Sequence, residues 1–345
     1  MKLYEKLMKQ CLKLAKKSKG LNLPNPYVGA IIYDEENKKV ISSGYHQKYG
    51  ENHAERNAIL NSKKDVEGKT LIVNLEPCSH FGKTPPCADL IIKSKIKRVV
   101  IAMKDVNPIV QNKGITKLRQ AGIEVIEGVL EKEALELNKI FIKNQTKLKP
   151  YIMTKIASSL DFKIALEKNK PTVITNEKSR YCVQKLRCEY QAIMTGSGTV
   201  LADNPRLNVR LKNKKSPVRI IFDPNNKLNF DYNVFKNDNT RIILINNSNV
   251  IVPSYVEKMP FFDFDSLFKE LYKKGIYSIM VEAGQGLNTA LFKNNEIDEI
   301  NYFIAPKIFN KGIDFLSDIG EINFKDVKIK SIDDDILFNA KITKE

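Results

Sequence analysis

Helix-type and strand-type segments alternate along this chain, and the alternation breaks once, at residues 146–150 (TKLKP), before it restarts. Such alternation restricts a chain to α/β architectures, because strands that are apolar on both faces need helices to cover them. Before the break, Leu3, Leu7, Met8, Cys11, Leu12 and Ala15 mark one face of an opening helix. YVGAIIYD and KKVISSGYH read as strands joined by a polar turn at residues 35–38. HAERNAILNS reads as a helix, TLIVNLEP as a strand, CADLIIKSK as a helix and KRVVIAM as a strand. KGITKLRQAG and EVIEGVL add a helix–strand pair, and EKEALELNKIFIKNQ reads as one long helix. After the break YIMTKIASSL, QAIMTG, VRIIFD, RIILI and YSIMVEAG read as strands, with helices at 177–188 and LNTALFKN. IDEINYFIAP and ILFNAKIT close the pattern as strands. The sequence therefore predicts two α/β domains, 1–146 and 150–345, the first a three-layer α/β/α domain around a mixed sheet. The length of 345 residues suits two domains.

Hydrophobic residues at 42% and charged residues at 28% supply real cores and argue against a disordered chain. No run of 18 apolar residues occurs, so no membrane span is expected. The opening helix mixes lysines with apolar residues and lacks both a continuous apolar stretch and a small-residue cleavage site. It does not read as a secretory signal, and a cytoplasmic location is expected. Net charge is 57 − 40 = +17, and residues 1–150 carry 28 basic against 16 acidic side chains. That balance favours anionic partners, either nucleic acid or a small phosphorylated substrate. Only nine of the 57 basic residues are arginine, however, and lysines scattered over solvated faces account for the charge as well.

Five cysteines, an odd number, do not make a disulfide framework; metal binding or core packing suits them better. His53-Ala54-Glu55 stands at the start of a helix, Pro77-Cys78 at the end of a strand, and Cys87 after Pro85-Pro86 at the start of the next helix. One imidazole and two thiolates are the ligand types zinc prefers, and three protein ligands leave a fourth position for water. Cys87 at a helix N-terminus is expected to ionise readily. Glu55, two residues from the imidazole, lies close enough to move protons without binding the metal. Zinc nucleobase deaminases carry H-x-E…P-C-x-x-C; here eight residues separate the cysteines where that signature has two. All three histidines, at 46, 53 and 80, flank this constellation.

Asn25-Pro26-x-Val28-Gly29, Gly44-Tyr45-His46, His53-Ala54-Glu55 and the segment from Glu76 to Cys87 (EPCSHFGKTPPC) stand in order. Together they resemble the deaminase half of the bifunctional riboflavin-biosynthesis deaminase/reductase family. The resemblance implies a cytidine-deaminase-like fold. It implies hydrolytic removal of the 2-amino group of 2,5-diamino-6-ribosylamino-4(3H)-pyrimidinone 5′-phosphate. It also implies Zn2+ on His53, Cys78 and Cys87, proton transfer by Glu55, and substrate contacts from Asn25, His46, His80 and Lys83. On residue type alone, His46 and Asn25 also suit ordinary turn positions.

The second half has two glycine turns, Thr195-Gly196-Ser197-Gly198-Thr199 and Gly284-Gln285-Gly286. Glycines opening a helix suit a pyrophosphate, yet such turns are commonly only tight connections. Lys155-x-Ala157-x-Ser159-Leu160-Asp161, Leu186-Arg187, the run from Gly198 to Arg210, and Val281-Glu282-Ala283-Gly284 resemble the reductase half of the same family. That half is similar to dihydrofolate reductase in fold and uses NADPH to reduce a ribosyl group to ribityl. The resemblance implies cofactor contacts from Ala157, Val173, Thr199, Asp203, Gly284, Gln285, Gly286, Leu287, Asn288, Thr289 and Ala290. It implies substrate contacts from Lys155, Arg187, Leu207, Arg210 and Glu282. Guanidinium groups suit a phosphate, with surface ion pairing as the lesser alternative for each arginine. Phe162 stands where the family has glycine, Lys163 where arginine is common, and Pro171 and Pro224 where serines are frequent.

The partners expected are small phosphorylated pyrimidines, no specific nucleic acid, no membrane, and a second copy of the chain in a homo-oligomer. The competing reading is a tRNA-type base deaminase with a C-terminal binding module, which the positive first half favours. A zinc-stabilised domain fused to a cofactor sensor is a third, which the unligated Glu55 argues against.

Overall fold

The computed structural model describes residues 1–81, 85–107 and 111–344. The chain divides into two compact units, Met1–Leu148 and Lys149–Glu345.

In the first unit five strands form a mixed sheet: β1 (Gly29–Asp34), β2 (Lys39–Tyr45), β3 (Thr70–Leu75), β4 (Arg98–Met103) and β5 (Glu124–Ile126), in the order β2-β1-β3-β4-β5. β1 runs antiparallel to β2 and β3, whereas β3, β4 and β5 are parallel. Every residue of β1 and β3 is buried, as expected for strands covered on both faces. The helices are α1 (Lys2–Ala15), α2 (Ala54–Leu60), α3 (Cys87–Lys93), α4 (Lys113–Gln120), α5 (Glu131–Leu137) and α6 (Lys139–Lys147). α1 packs with α5, and α2 packs with α3, which meets α4. Two glycines set the close approaches. A Cβ on Gly44 of β2 would lie 2.5 Å from the Ala58 nitrogen of α2, and one on Gly29 would lie 2.3 Å from the Cys11 carbonyl oxygen of α1.

The long helix expected from EKEALELNKIFIKNQ is in fact two. It breaks at Asn138, which is fully buried; its Oδ1 accepts from the Tyr27 N–H at 2.7 Å and its amide donates to the Tyr27 carbonyl at 3.2 Å. A buried amide committed to the backbone of the segment that leads into β1 interrupts the helix at that point. The strand expected across EVIEGVL shortens to three residues.

The second unit is built on a nine-stranded sheet. Its strands are β6 (Tyr151–Ser158), β8 (Ala192–Gly196), β9 (Val218–Phe222), β10 (Ile242–Ile245), β11 (Val256–Met259), β12 (Ser278–Val281), β13 (Glu299–Ile304), β15 (Phe324–Ile332) and β16 (Asp335–Ile342). The order is β11-β10-β9-β8-β12-β6-β13-β16-β15; the first seven are parallel, and β16 and β15 close the edge antiparallel. β7 (Lys163–Ala165) pairs separately with β14 (Ile313–Asp314). The helices are α7 (Glu177–Glu189), α8 (Ser197–Asp203), α9 (Phe264–Lys273) and α10 (Gln285–Lys293). Phe264, Leu267, Phe268 and Leu271 of α9 join Ile152, Met194, Ile243 and Leu291 in one apolar core.

Phe162, at the glycine position of the family pattern, has φ 63°. The turn thus keeps the left-handed conformation that glycine adopts freely, and a side chain there costs about 1–2 kcal/mol. Among the described residues no helix is long and apolar enough to cross a membrane.

Candidate functional site

The first site lies where α2, α3 and the end of β3 converge. His53 occupies the N-cap of α2 but makes no capping hydrogen bond, so its ring is free for other work. Its Nδ1 lies 3.6 Å from Cys78 Sγ and 3.4 Å from Cys87 Sγ. Zn–N near 2.0 Å and Zn–S near 2.3 Å at a tetrahedral angle require N···S separations of about 3.6 Å. The three donors therefore fit a zinc ion as they stand, and all lie within 4.8 Å of one another.

Cys87 opens α3, yet its backbone N–H donates to Cys78 Sγ at 3.3 Å. The helix N-terminus thus serves the other cysteine. Hydrogen bonding from Cys87 pulls the Cys78 thiol down to about 4. The thiol–thiol contact with Cys78, with burial, pushes Cys87 well up, contrary to the expectation that Cys87 ionises readily. Of the remaining cysteines, Cys11 is buried and donates to the Gly29 carbonyl at 2.9 Å, while Cys182 and Cys188 lie half-buried in the second unit. Glu55 is 4% exposed, and burial raises its carboxyl above the usual range. It sits beside His53 and within hydrogen-bonding reach of Cys87.

His46 is buried and its ring lies 5.4 Å from that of His53, edge on. Its Nδ1 is 3.0 Å from the Asn52 carbonyl, which can only accept. Nδ1 therefore carries the proton, and Nε2 accepts from the Asn25 amide at 2.9 Å. Burial lowers the His46 pKa, which keeps the ring neutral. The sequence-predicted pair Asn25 and His46 is thus brought together against the three donors. His80 is exposed on the loop after Cys78, and Lys83 lies outside the described residues.

Sequence reasoning missed what anchors this loop. The Glu76 carboxylate accepts four backbone N–H groups, from Asp105, Asn112, Gly114 and Ile115, at 3.1–3.3 Å. A Cβ on Gly114 would fall 1.9 Å from the Pro77 carbonyl oxygen, so only glycine lets α4 abut the segment that leads to Cys78. Asp105, at the carboxyl end of β4, was also missed; burial pushes its carboxyl up to about 6. Its sequence signal was an acid two residues after an apolar strand.

The second site lies at the carboxyl ends of β6, β8 and β12, where parallel α/β sheets bind ligands. Glu282 follows β12 and is buried. Arg187 of α7 grips it with Nε at 2.6 Å and Nη2 at 3.0 Å, and Lys155 of β6 reaches it at 3.4 Å. Although burial opposes ionisation, these two cations hold the Glu282 carboxyl down at about 2. Asp203 is raised by burial, with Lys155 acting against the rise. Leu207 is buried, and Arg210 is exposed with its backbone N–H donating to Gln184 at 2.9 Å.

The Gly284 N–H donates to Thr199 Oγ1 at 2.9 Å, which ties α8 to the start of α10. A Cβ on Gly198 or Gly286 would meet nothing within 4 Å, so the fold itself does not demand glycine there. As at any helix start, α10 leaves the N–H groups of Gln285, Gly286 and Leu287 without intrahelical acceptors. The side chains of Leu287, Asn288 and Thr289 are committed elsewhere. Leu287 is in the core, Asn288 bonds Thr154 and two carbonyls, and Thr289 accepts from the Ser317 N–H. Ala157 and Ala290 are half-buried, and Val173 is 75% exposed.

The family described as the cytidine and deoxycytidylate deaminase zinc-binding region matches residues 1–103, and the RibD C-terminal domain matches residues 150–338. The riboflavin biosynthesis protein RibD of Aquifex aeolicus is 39% identical over 97% of both chains. The chain belongs to the RibD family. The Escherichia coli RibD is 35% identical over 94% of this chain and 96% of its own. The solved diaminohydroxyphosphoribosylaminopyrimidine deaminase/5-amino-6-(5-phosphoribosylamino)uracil reductase of Thermotoga maritima is 40% identical, with a TM-score of 0.90 over 99% of each chain. Acinetobacter baumannii RibD is 32% identical with a TM-score of 0.89, again over 99% of each. As a RibD family member this protein is a bifunctional deaminase and reductase of riboflavin biosynthesis, with a cytidine-deaminase-like first unit and a RibD reductase domain as its second. The tRNA-editing alternative is not favoured, because the second half matches a reductase domain and not an RNA-binding module.

Proposed function

We propose that the first unit deaminates 2,5-diamino-6-ribosylamino-4(3H)-pyrimidinone 5′-phosphate and that the second reduces the product's ribosyl group to ribityl with NADPH. The observation that carries the reading is the His53, Cys78 and Cys87 donor set, spaced for zinc, with a buried and unligated Glu55 beside it. Zinc on this set supplies Lewis acidity and a water activated near neutral pH. Glu55 takes a proton from the attacking water and returns it to the departing nitrogen, so that C2–NH2 becomes C2=O and ammonia leaves. Its raised pKa suits a group that must hold the proton between those events. The neutral His46, its two ring nitrogens taken by Asn52 and Asn25, orients the Asn25 amide for the pyrimidine, with His80 and Lys83 as further contacts.

In the second unit the first turn of α10, together with Gly198, Thr199 and Asp203, forms the NADPH cradle. Ala157 and Val173 line its approach. NADPH supplies the hydride, and Lys155 is the cation with a proton to give beside the reacting carbon. Leu207 and Arg210 complete the substrate side. The enzyme acts in the cytoplasm as a homo-oligomer. The decisive assay incubates the protein with the diaminopyrimidinone phosphate, with and without NADPH, and follows ammonia release and NADPH oxidation separately. Ammonia release without NADPH, followed by NADPH oxidation, supports the reading; absence of either activity removes that half of it.

Two further outcomes are expected. Glu282 has its folded-state pKa depressed from 4.5 to about 2, so its contribution to stability is full above pH 4.5 and is lost as pH falls towards 2. The shift corresponds to about 3 kcal/mol, of which about 1 kcal/mol is gone by pH 3.5. Urea titrations of wild type and Glu282→Gln should show a stability gap at pH 7 that narrows on acidification; a constant gap contradicts the depressed pKa. Binding to RNA should be weak, indifferent to sequence and lost by about 200 mM salt. Filter binding that survives such salt with sequence preference would restore the nucleic-acid alternative.

A further inference from the structure

We infer that Glu76 is a positioning residue for the metal site: its buried carboxylate pins the segment that carries Cys78 to the start of α4, and so sets where the Cys78 sulfur meets the metal. Resting on the zinc reading of His53, Cys78 and Cys87, this places a further residue behind the three donors.

The backbone has few means of holding this segment. β3 ends at Leu75, whose partner in β4 is Met103. Glu76 adds one more rung, from its N–H to the Met103 carbonyl at 3.0 Å. Pro77 then has no N–H to donate. Beyond it, Cys78 is tied to the start of α3. Its carbonyl accepts from the Ala88 N–H at 3.0 Å and its sulfur from the Cys87 N–H at 3.3 Å. Those two bonds fix the thiols against each other, but they do not fix the pair against the sheet. The Glu76 side chain supplies that tie.

Glu76 is 3% exposed, and its two carboxylate oxygens divide the work. Oε1 accepts from the Gly114 and Ile115 N–H groups, at 3.1 and 3.3 Å. Both belong to the first turn of α4, whose N-cap residue, Asn112, makes no side-chain capping bond. An N-cap asparagine ordinarily caps its own helix. Here the cap comes from a carboxylate 38 residues before Gly114, and the helix dipole favours an anion at that end. Oε2 accepts from the Asp105 and Asn112 N–H groups, both at 3.1 Å, which draws together the two ends of the connection between β4 and α4. The seating is close: a Cβ on Gly114 would fall 1.9 Å from the Pro77 carbonyl oxygen and 3.4 Å from Glu76 Cγ.

The residue that caps α4 thus stands two positions before a metal ligand, with only a proline between. Metal sites tolerate about 0.2 Å in ligand distance. Groups that orient ligands from behind are typically worth about 10- to 100-fold in metal affinity or activity.

The test uses the full-length protein, zinc in competition with a chromophoric chelator, and Co2+ as a spectroscopic probe of the same donors. Glu76→Gln keeps the shape of the side chain but turns one acceptor into an NH2 that faces N–H donors, so the bonds to that atom are lost. The zinc dissociation constant should rise about 10- to 100-fold, and the thiolate-to-cobalt charge-transfer band should shift or weaken. Glu76→Asp, which keeps the charge and loses one methylene, should lie between Glu76→Gln and wild type. Circular dichroism should show folded protein, and reduction with NADPH should be unchanged. Lys117→Ala removes the ion pair of α4 with Asp89 of α3 and leaves Glu76 in place; its zinc affinity and cobalt spectrum should match wild type. Glu76 variants that melt earlier, yet bind zinc with wild-type affinity and an unchanged cobalt spectrum, would reduce Glu76 to a helix cap and overturn the proposal. An equal loss of affinity in Lys117→Ala would make zinc binding a general measure of α4 packing and overturn it too. Should Glu76→Gln fail to fold, Glu76→Asp carries the same two readings. Wild-type protein that takes up no zinc would instead remove the zinc reading itself, a distinguishable result.

Discussion

Glu55→Gln should retain its metal and lose deamination by about 10²–10⁴-fold, the range attributed to a positioned general acid–base group. The substitution keeps the size of the side chain and its hydrogen-bonding reach towards Cys87. It removes only the capacity to take up and release a proton. Because Glu55 is buried and ligates nothing in the donor set of His53, Cys78 and Cys87, metal content measured by atomic absorption should stay near one ion per chain. Burial also favours the neutral amide over a carboxylate, so the variant should fold at least as stably as the parent. Reduction of the pre-deaminated substrate should proceed at the wild-type rate, since every reductase residue lies beyond position 148. Parallel loss of both activities would show that the two chemistries do not reside in separate units.

The site was more legible than the fold that holds it. His53, Glu55, Cys78 and Cys87 declare themselves because metal and proton chemistry admit few residue types, and the rarity of histidine and cysteine in a lysine-rich chain leaves little background. The scaffolding behind them uses commonplace residues. Asn138 sits inside an unbroken helical pattern, and only the Tyr27 backbone that it satisfies explains the break. Glu76 was visible as part of a motif, but three of the four N–H groups it grips belong to the start of a helix more than 35 residues later, and the fourth to Asp105. The electrostatic ordering of Cys78 and Cys87 was not legible either. The sequence placed Cys87 at a helix start, whereas the thiol–thiol hydrogen bond, with the Cys87 N–H beside it, favours Cys78 as the anion.

In the second unit the strands were legible because parallel central strands are continuous apolar runs. α9 had a clear signal that went unread: Asp263 caps it through Ser266, and Phe264, Leu267, Phe268 and Leu271 keep helical spacing. β15 had almost none, since eight of its nine residues are exposed and an edge strand need not alternate. The sequence marked both Arg187 and Glu282, but not the two-point contact between them, because nothing in the spacing of residues 187 and 282 announces it.

Cys78→Ser should reduce metal content from about one ion per chain to near zero and abolish deamination, because a serine hydroxyl does not ionise near neutral pH and three protein ligands are the minimum for a catalytic zinc site. The structure gives Cys78 a particular weight among the three. Its thiol is pulled down to about 4 by hydrogen bonding from the Cys87 side chain and the His53 ring 3.6 Å away, with the Cys87 N–H adding to it. Removing it deprives His53 of the hydrogen-bonding partner that raises its pKa. Metal binding to the wild-type chain should then release about one proton, mainly from Cys87, whose thiol is pushed well up. Calorimetric titration with zinc in buffers of different ionisation enthalpy measures that number directly. Cys11→Ser supplies the control: Cys11 lies buried beneath β1, donates to the Gly29 carbonyl and contributes no ligand atom, so its loss should leave metal content and proton release unchanged. Full metal content in Cys78→Ser, or its loss in Cys11→Ser, would contradict this donor set.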